Sequence, residues 1–309
     1  MLRPFLTRPS IAVMFICMAM SQSTGPRSAK LVDCPDAPGD GVLPPEPETN
    51  TANLRAGFVT FGDLPTRLVV YEDRKGLAVF QGDIILGTTA SMQQSLPAKP
   101  GQIATQGIVL SGPIQWPSAT VPYDIDPNLP NQARVAAAIA EWTTKTSIQF
   151  ILHSTEPDYV YFTVGTGCDS ALGHQGGQQL IHLAAGCAVP QVIHEIGHTV
   201  GLLHEHNRSD RDQYIQINLS NIPPGWQAQF QNTTSSQDVG VYDFCSIMHY
   251  PAIADGYGNG RQPVFQETNS CPACVPGKAT QLSTGDVSAV NLIYPAAVRL
   301  KSSAPRKSN

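Results

Sequence analysis

Charge is scarce in this chain. Lysine, arginine, aspartate and glutamate make up 14% of its 309 residues, the net charge is −5, and no run of basic residues occurs. That removes the electrostatic footprint expected of a nucleic-acid binder or of a protein held on an anionic membrane surface. Long apolar runs are also missing. The apolar stretch near the amino terminus, Ile11 to Met20, has ten residues, half of the ~20 needed to cross a bilayer core. No membrane anchor is therefore expected in the mature protein. The scarcity of charge does not imply disorder, because a hydrophobic content of 41% over this length can bury a full core in one or two domains. No internal repeat is present.

Arg3 and Arg8 precede the Ile11–Met20 run, and the small or polar Ser21, Ser23 and Gly25 follow it. This is the pattern of a secretory signal removed near residue 23. Its loss takes Cys17 away and leaves Cys34, Cys168, Cys187, Cys245, Cys271 and Cys274. An even number in an exported chain favours disulfides, although six cysteines allow fifteen pairings. Cys271-Pro272-Ala273-Cys274 has no matching second pair, which favours a loop disulfide over a metal site.

The most informative stretch is His194-Glu195-Ile196-Gly197-His198-Thr199-Val200-Gly201-Leu202-Leu203-His204. Histidines four apart on a helix stand one turn above the other, so His194 and His198 can converge on one metal ion. Glu195, beside the first, can hold a water at that metal and act as a general base. His204 comes ten residues after His194 and would lie about 15 Å further along a continuous helix, so the helix must stop. Gly201 is where it can, since glycine enters the left-handed conformation without a side-chain penalty. Three neutral ligands leave an open position, as a hydrolytic zinc site requires and a structural one does not.

These residues resemble the metzincins. Glu205 after the third histidine, with His206-Asn207-Arg208 and Asp210-Arg211-Asp212-Gln213-Tyr214, resembles more narrowly the astacin family of zinc endopeptidases. Ser246-Ile247-Met248-His249-Tyr250 is similar to that family's Met-turn. The resemblance implies that Met248 floors the zinc site and that Tyr250 moves to the oxyanion during catalysis. Phe80-Gln81-Gly82-Asp83-Ile84 resembles the segment with which astacins keep themselves inactive, and implies Asp83 as an inhibitory zinc ligand in a zymogen. Cys34 is a competing blocker, but its Asp-Cys-Pro-Asp setting matches metzincin thiolate switches poorly. The family closes a disulfide where Cys168 and Cys187 stand. Its second disulfide is missing here, with Ser147 and the neighbourhood of Val298 in place of the two cysteines. The family also buries a new amino terminus near the glutamate after the third histidine, which implies Glu205 as its partner and a mature start close to Gly107. No Lys or Arg lies between Lys99 and Arg134, so maturation is expected by autolysis or a protease that is not trypsin-like.

In chain order, residues 24–53 read as a proline-rich lead-in. Short strands are expected at Gly57–Phe61, Arg67–Glu72, Leu77–Phe80 and Asp83–Leu86, then a connector from Thr88 to Gln106. Thr120–Tyr123 resembles the first strand of the astacin enzymes. A helix follows over Asn131–Thr146 with Asn131 as its cap, then strands at Ile148–His153 and Tyr159–Val164. Gln178–Leu183 reads as an edge strand, of the kind that in this family pairs with extended substrate. His153, His174 and His182 read as surface or packed residues. Ser283 and Asp286 form a capping box ahead of a last helix.

The expectation is thus an α+β fold: a metzincin, zincin-like catalytic domain with a twisted mixed sheet, an active-site helix and a cleft between two subdomains, preceded by a small propeptide. The limits expected are a signal peptide at 1–23, a propeptide at 24–106, the catalytic domain at 107–296 and a polar tail at 297–309. The function expected is a secreted, monomeric zinc endopeptidase acting on proteins or peptides bound as extended strands, with one Zn²⁺. A binding or adhesion protein that keeps the zinc helix only as scaffold is disfavoured, because Glu195 is not a ligand and has no structural reason to stand there.

Overall fold

The structure is a computed structural model. It describes residues 51–61, 67–94, 108–110, 115–224, 226–232, 237–253, 262–268 and 274–295. The expected signal, the domain limits near 23, 106 and 296, and Cys34 and Cys271 lie outside these residues.

The chain begins with an antiparallel meander of β1 (Leu54–Phe61), β2 (Arg67–Arg74), β3 (Leu77–Phe80) and β4 (Ile84–Thr88). Instead of a featureless connector, β4 leads directly into a short helix, α1 (Thr89–Gln94). Its Met92 is fully buried in the core of the meander, a packing role that a six-residue segment with no clear period does not advertise. A short β5 (Ile108–Leu110) then adds parallel to β1.

The second half opens on β6 (Thr120–Ile125), α2 (Ala133–Lys145) and β7 (Gln149–Leu152). β6 and β7 are parallel neighbours, so the chain between them must cross over, and α2 is that crossover. Val135, Ala138 and Trp142, at helical spacing, form its buried stripe. Asn131 is not the side-chain cap expected of it. It takes φ of +53°, its carbonyl accepts from Arg134 N at 3.2 Å, and Gln132 holds the cap position. Asparagine tolerates the left-handed region, and here that turn aims the helix.

β8 (Tyr159–Val164), β9 (Cys168–Ala171) and β10 (Gln178–Leu183) complete one sheet in the order β5-β1-β2-β3-β4-β9-β10-β8-β6-β7. In β10 alternate residues Gln179, Ile181 and Leu183 are buried, as period-2 geometry dictates. β10 is not the edge strand expected from its sequence, because it lies between β9 and β8. The strand that meets the amino-terminal meander is β9, paired in parallel with β4 (Ile84↔Ser170, Ile85↔Ala171).

Beyond the sheet, α3 (Val189–Thr199) packs beside α2, with Trp142 Nε1 donating to Ile193 O at 3.0 Å. A small ribbon of β11 (Ile215–Ile217) and β12 (Phe265–Glu267) follows, and α4 (Thr284–Ile293) closes the fold. The expected capping box is in place: Ser283 Oγ accepts from Asp286 N and Asp286 Oδ2 accepts from Ser283 N, both at 2.9 Å. Ser147, standing where the family has a cysteine, donates its hydroxyl to Tyr294 O at 2.7 Å. A hydrogen bond thus links this place to the end of α4.

Three apolar clusters result. One lies between the catalytic strands and the helices, around Trp116, Trp142, Phe162 and Ile196. A second lies within the meander, around Tyr71, Phe80, Ile84 and Met92, with Leu172 of the second half inside it. The third gathers Trp226, Phe230, Tyr242, Tyr250 and Phe265. α3, the Phe80–Ile84 corner and the Tyr250 segment come from these three clusters respectively, and the site lies where they meet.

Candidate metal centre

α3 carries His194, Glu195 and His198 on one turn of helix, all at most 4% exposed. The helix ends as its glycine allows. Gly201 takes φ of +102°, Gly201 N bonds His198 O, and Leu202 N reaches back to Gly197 O, both at 2.9 Å. The chain then reverses and delivers His204, which is 1% exposed, to the same point. Asp83 enters from the opposite side on the turn before β4, with no exposed surface.

Ligand atoms of His194, His198, His204 and Asp83 all lie within 4.8 Å of one another. Asp83 Oδ2 is 3.3 Å from His194 Nε2 and 3.0 Å from His204 Nε2, and Oδ1 is 3.5 Å from His198 Nε2. The outer nitrogens are committed elsewhere: His194 Nδ1 faces Ile247 O at 2.8 Å and His198 Nδ1 faces Leu202 O at 2.8 Å. His204 Nδ1 faces Gln81 Oε1 at 3.3 Å. Each Nδ1 proton has an oxygen acceptor, which leaves each Nε2 lone pair pointing at the common centre.

Charge and burial agree with that assignment. Burial pushes His198 below its ordinary range and His204 down to about 4, so both are neutral near pH 7, as metal ligands must be. Burial opposes ionisation of Asp83 as well, but the surrounding imidazoles prevail and hold its carboxyl well below the usual carboxylate range. His198 Nε2 and Asp83 Oδ1 are buried and make no hydrogen bond. Three imidazoles and a carboxylate converging on one point, with inner atoms left unsatisfied, fit a tetrahedral zinc ion.

The floor and wall of the site are equally tight. Met248 is buried, and its sulfur would stand 2.5 Å from a Cβ added at Gly197, between the two helical histidines. Only glycine admits the methionine there. Tyr250 is 3% exposed, stacks on His206 at 4.2 Å between ring centroids, and donates its hydroxyl to Gln81 O at 2.7 Å, with Asp83 Oδ2 at 3.4 Å. Gly82, between those two partners, has φ of +94°, and a Cβ on it would meet Tyr250 Oη at 2.8 Å.

Glu205 is largely buried. Its Oε1 accepts from Asp243 N at 2.7 Å and faces Arg208 Nη1 at 3.5 Å, and burial raises its carboxyl to about 8 against the pull of that arginine. The new amino terminus expected beside it, near Gly107, lies outside the described residues. His153, His174 and His182 stay away from the metal centre, stacked on Tyr159, paired with Asp158 and paired with Asp169 respectively. Cys168 and Cys187 are joined by a disulfide, as the resemblance implied. Cys274 bonds Cys245, 29 residues earlier and next to the Met248 turn.

Several contacts had no signal in the sequence. Arg134, 3% exposed, crosses from α2 to donate to Ala184 O at 2.8 Å and to Cys187 O, fixing the loop that leads into α3. Trp116 Nε1 donates to Thr199 O at 2.9 Å, at the end of α3. Gln81 and His206 lie within the segments that carry the resemblance, which implied no role for either, and they flank His204 and Tyr250.

Comparison with known proteins bears on the same residues. The model of the Astacin family, described as Peptidase family M12A, matches residues 111–295. The chain belongs to the astacin family. It is similar to zinc metalloproteinase nas-6 of Caenorhabditis elegans, at 30% identity over 84% of this chain and 74% of that protein. It is also similar to high choriolytic enzyme 1 of Oryzias latipes, at 29% identity over 76% of this chain and 84% of that one. The solved structure of the latter, a hatching enzyme zinc-protease, superposes with a TM-score of 0.54 at 30% identity, covering 59% of this chain and 94% of that chain. This astacin is accordingly an α+β zinc metalloendopeptidase that uses one zinc ion.

Proposed function

We propose that this astacin is exported as a latent precursor and that, once the residues ahead of about 107 are removed, it hydrolyses internal peptide bonds of proteins or peptides. The observation that carries this reading is the Asp83 carboxylate, fully buried among three imidazoles at the place a reacting group would need. In the matured enzyme His194, His198 and His204 hold the zinc. Bound there, zinc would supply Lewis acidity, polarising the scissile carbonyl and lowering the pKa of the attacking water. Glu195 orients that water, takes its proton on a carboxylate oxygen and passes it to the departing amine. The Tyr250 hydroxyl, which donates to Gln81 O in the precursor, is released with the amino-terminal segment and turns its proton to the oxyanion. Secretion follows from the pattern of residues 3–25, and the even cysteine complement accords with it. A monomer, with no nucleic-acid or membrane partner, completes the reading.

The test is incubation of the matured protein with a proteome-derived peptide library, with and without a chelator. Cuts within peptides that stop on chelation and return with one equivalent of zinc are expected. Cuts that persist without zinc would overturn the reading. Tyr250→Phe keeps the ring on His206 but loses the hydroxyl, so kcat is expected to fall roughly 10²-fold with KM little changed. A change confined to KM would contradict the oxyanion role.

A further inference from the structure

Asp169 lies on β9 and is 4% exposed. Its neighbour Ser170 turns its hydroxyl to Thr199 of α3 at 2.8 Å, so alternation along the strand puts Asp169 on the other face of the sheet. On that face Asp169 Oδ1 meets His182 Nδ1 of β10 at 2.6 Å, and Oδ2 meets Arg74 Nη1 at 3.7 Å. His182 belongs to the catalytic half, but Arg74 does not. It sits at the end of β2 and is held there by Glu72 Oε2 and by Gly82 O, each 2.9 Å from Nη2. The guanidinium thus lies across the segment that brings Asp83 to the metal centre and ends at a carboxylate of the catalytic half.

The position of Asp169 along the site follows from the backbone. Ser170 N donates to Asp83 O at 2.9 Å, so a chain crossing the metal centre hydrogen-bonds to β9 one residue from Asp169. We infer that Asp169 is a specificity-determining residue: in the matured enzyme it receives a basic side chain of the substrate, in the place that Arg74 fills in the precursor. The inference rests on the reading that the amino-terminal segment leaves. A carboxylate that a bound chain covers needs a paired cation, since an ion left buried and alone is costly, and in the precursor Arg74 supplies it. When β2 departs, His182 remains on Oδ1 and the Oδ2 side is vacated. A substrate strand lying on β9 then brings its own side chains onto that face. Arginine suits the site better than lysine, because its planar fork donates several N–H groups at once and it is more weakly hydrated.

The experiment uses the matured enzyme, its amino terminus sequenced to show that Arg74 is gone, on one cleavable peptide varied at three positions on each side of the cut bond. Each position carries in turn arginine, its neutral isostere citrulline, and glutamate. At one position kcat/KM for arginine is expected to exceed that for citrulline by about tenfold or more, as a charge-assisted hydrogen bond implies, and glutamate is expected to be the poorest. Asp169→Asn is expected to bring the arginine-to-citrulline ratio at that position close to one, and Asp169→Glu to restore part of it. Because each ratio is taken within one enzyme, a general loss of activity cancels. Ratios near one at every position in the wild type, or a preference that survives Asp169→Asn, would overturn the inference. Should Asp169→Asn not fold, the wild-type ratios decide alone. Cleavage of the citrulline peptides shows that the peptidase reading stands whichever way the ratios fall.

Discussion

Glu195→Ala is expected to lower turnover by the matured enzyme about 10²-fold or more while its zinc content stays at one. The two effects separate because of where the carboxylate sits. Glu195 is 1% exposed on α3 between His194 and His198, yet it is not among the four groups whose ligand atoms gather within 4.8 Å. Removing it leaves three imidazoles and their Nδ1 acceptors in place, so the metal stays. What is lost is the only role proposed for the group, holding and moving a proton beside the attacking water. Truncating a buried side chain also leaves a cavity, so thermal stability is measured beside activity, and the near-isosteric Glu195→Gln serves as a second variant. Metal analysis, unfolding temperature and kcat on one fluorogenic peptide complete the experiment. Near-normal hydrolysis by either variant with zinc bound would remove Glu195 from the mechanism.

What the sequence made legible has a physical pattern. The spacing of His194, His198, Gly201 and His204 is dictated by local geometry, the rise of a helix and the conformational freedom of one glycine, and the chain follows it at each residue. Ser283 and Asp286 are legible for the same reason, since a capping box closes within four residues. Strand existence was readable from alternation, as in Tyr159–Val164. Strand neighbours were not. Gln178–Leu183 has the same period of two whether it lies at an edge or inside a sheet, and its place between β9 and β8 depends on partners up to 19 residues away, such as Gln178 beside Tyr159. β9, the strand that borders the meander, is only four residues long and contains a cysteine and an aspartate, so it carried little strand signal. The Cys245–Cys274 bond was hidden by arithmetic, because six cysteines allow fifteen pairings and spacing does not choose among them. Arg134 and Gln81 act through backbone carbonyls or neighbours distant in sequence, contacts that no short pattern encodes.

Asp83→Ala is expected to give the uncut precursor measurable activity, roughly tenfold or more above the uncut wild type, and to speed its self-processing. The argument turns on separating the carboxylate from the strand that carries it. Asp83 contributes a charged group at the three Nε2 atoms and a contact with the Tyr250 hydroxyl. The strand contributes parallel pairing of Ile84 and Ile85 with β9 and the burial of Phe80, Ile84 and Leu86 in the meander's core. The pairing with β9 and the packing of Leu172 into that core do not involve the carboxylate, so alanine at position 83 leaves the meander docked and the cleft partly covered. Activity should therefore be partial. Asp83→Asn is expected to fall between, because a neutral amide is a poorer zinc ligand than a carboxylate. Being part of the same chain, the segment would act at high effective concentration, so even a weakened form is expected to suppress much of the activity. If Asp83 served only to shape the turn before β4, alanine would lower folding yield and leave latency intact. The comparison is made on precursors whose connector around Gln106 resists cleavage, with zinc content and folding checked, on a small fluorogenic peptide. Equal silence in wild type and Asp83→Ala would mean that the strand alone closes the site and that the carboxylate does not hold the zinc.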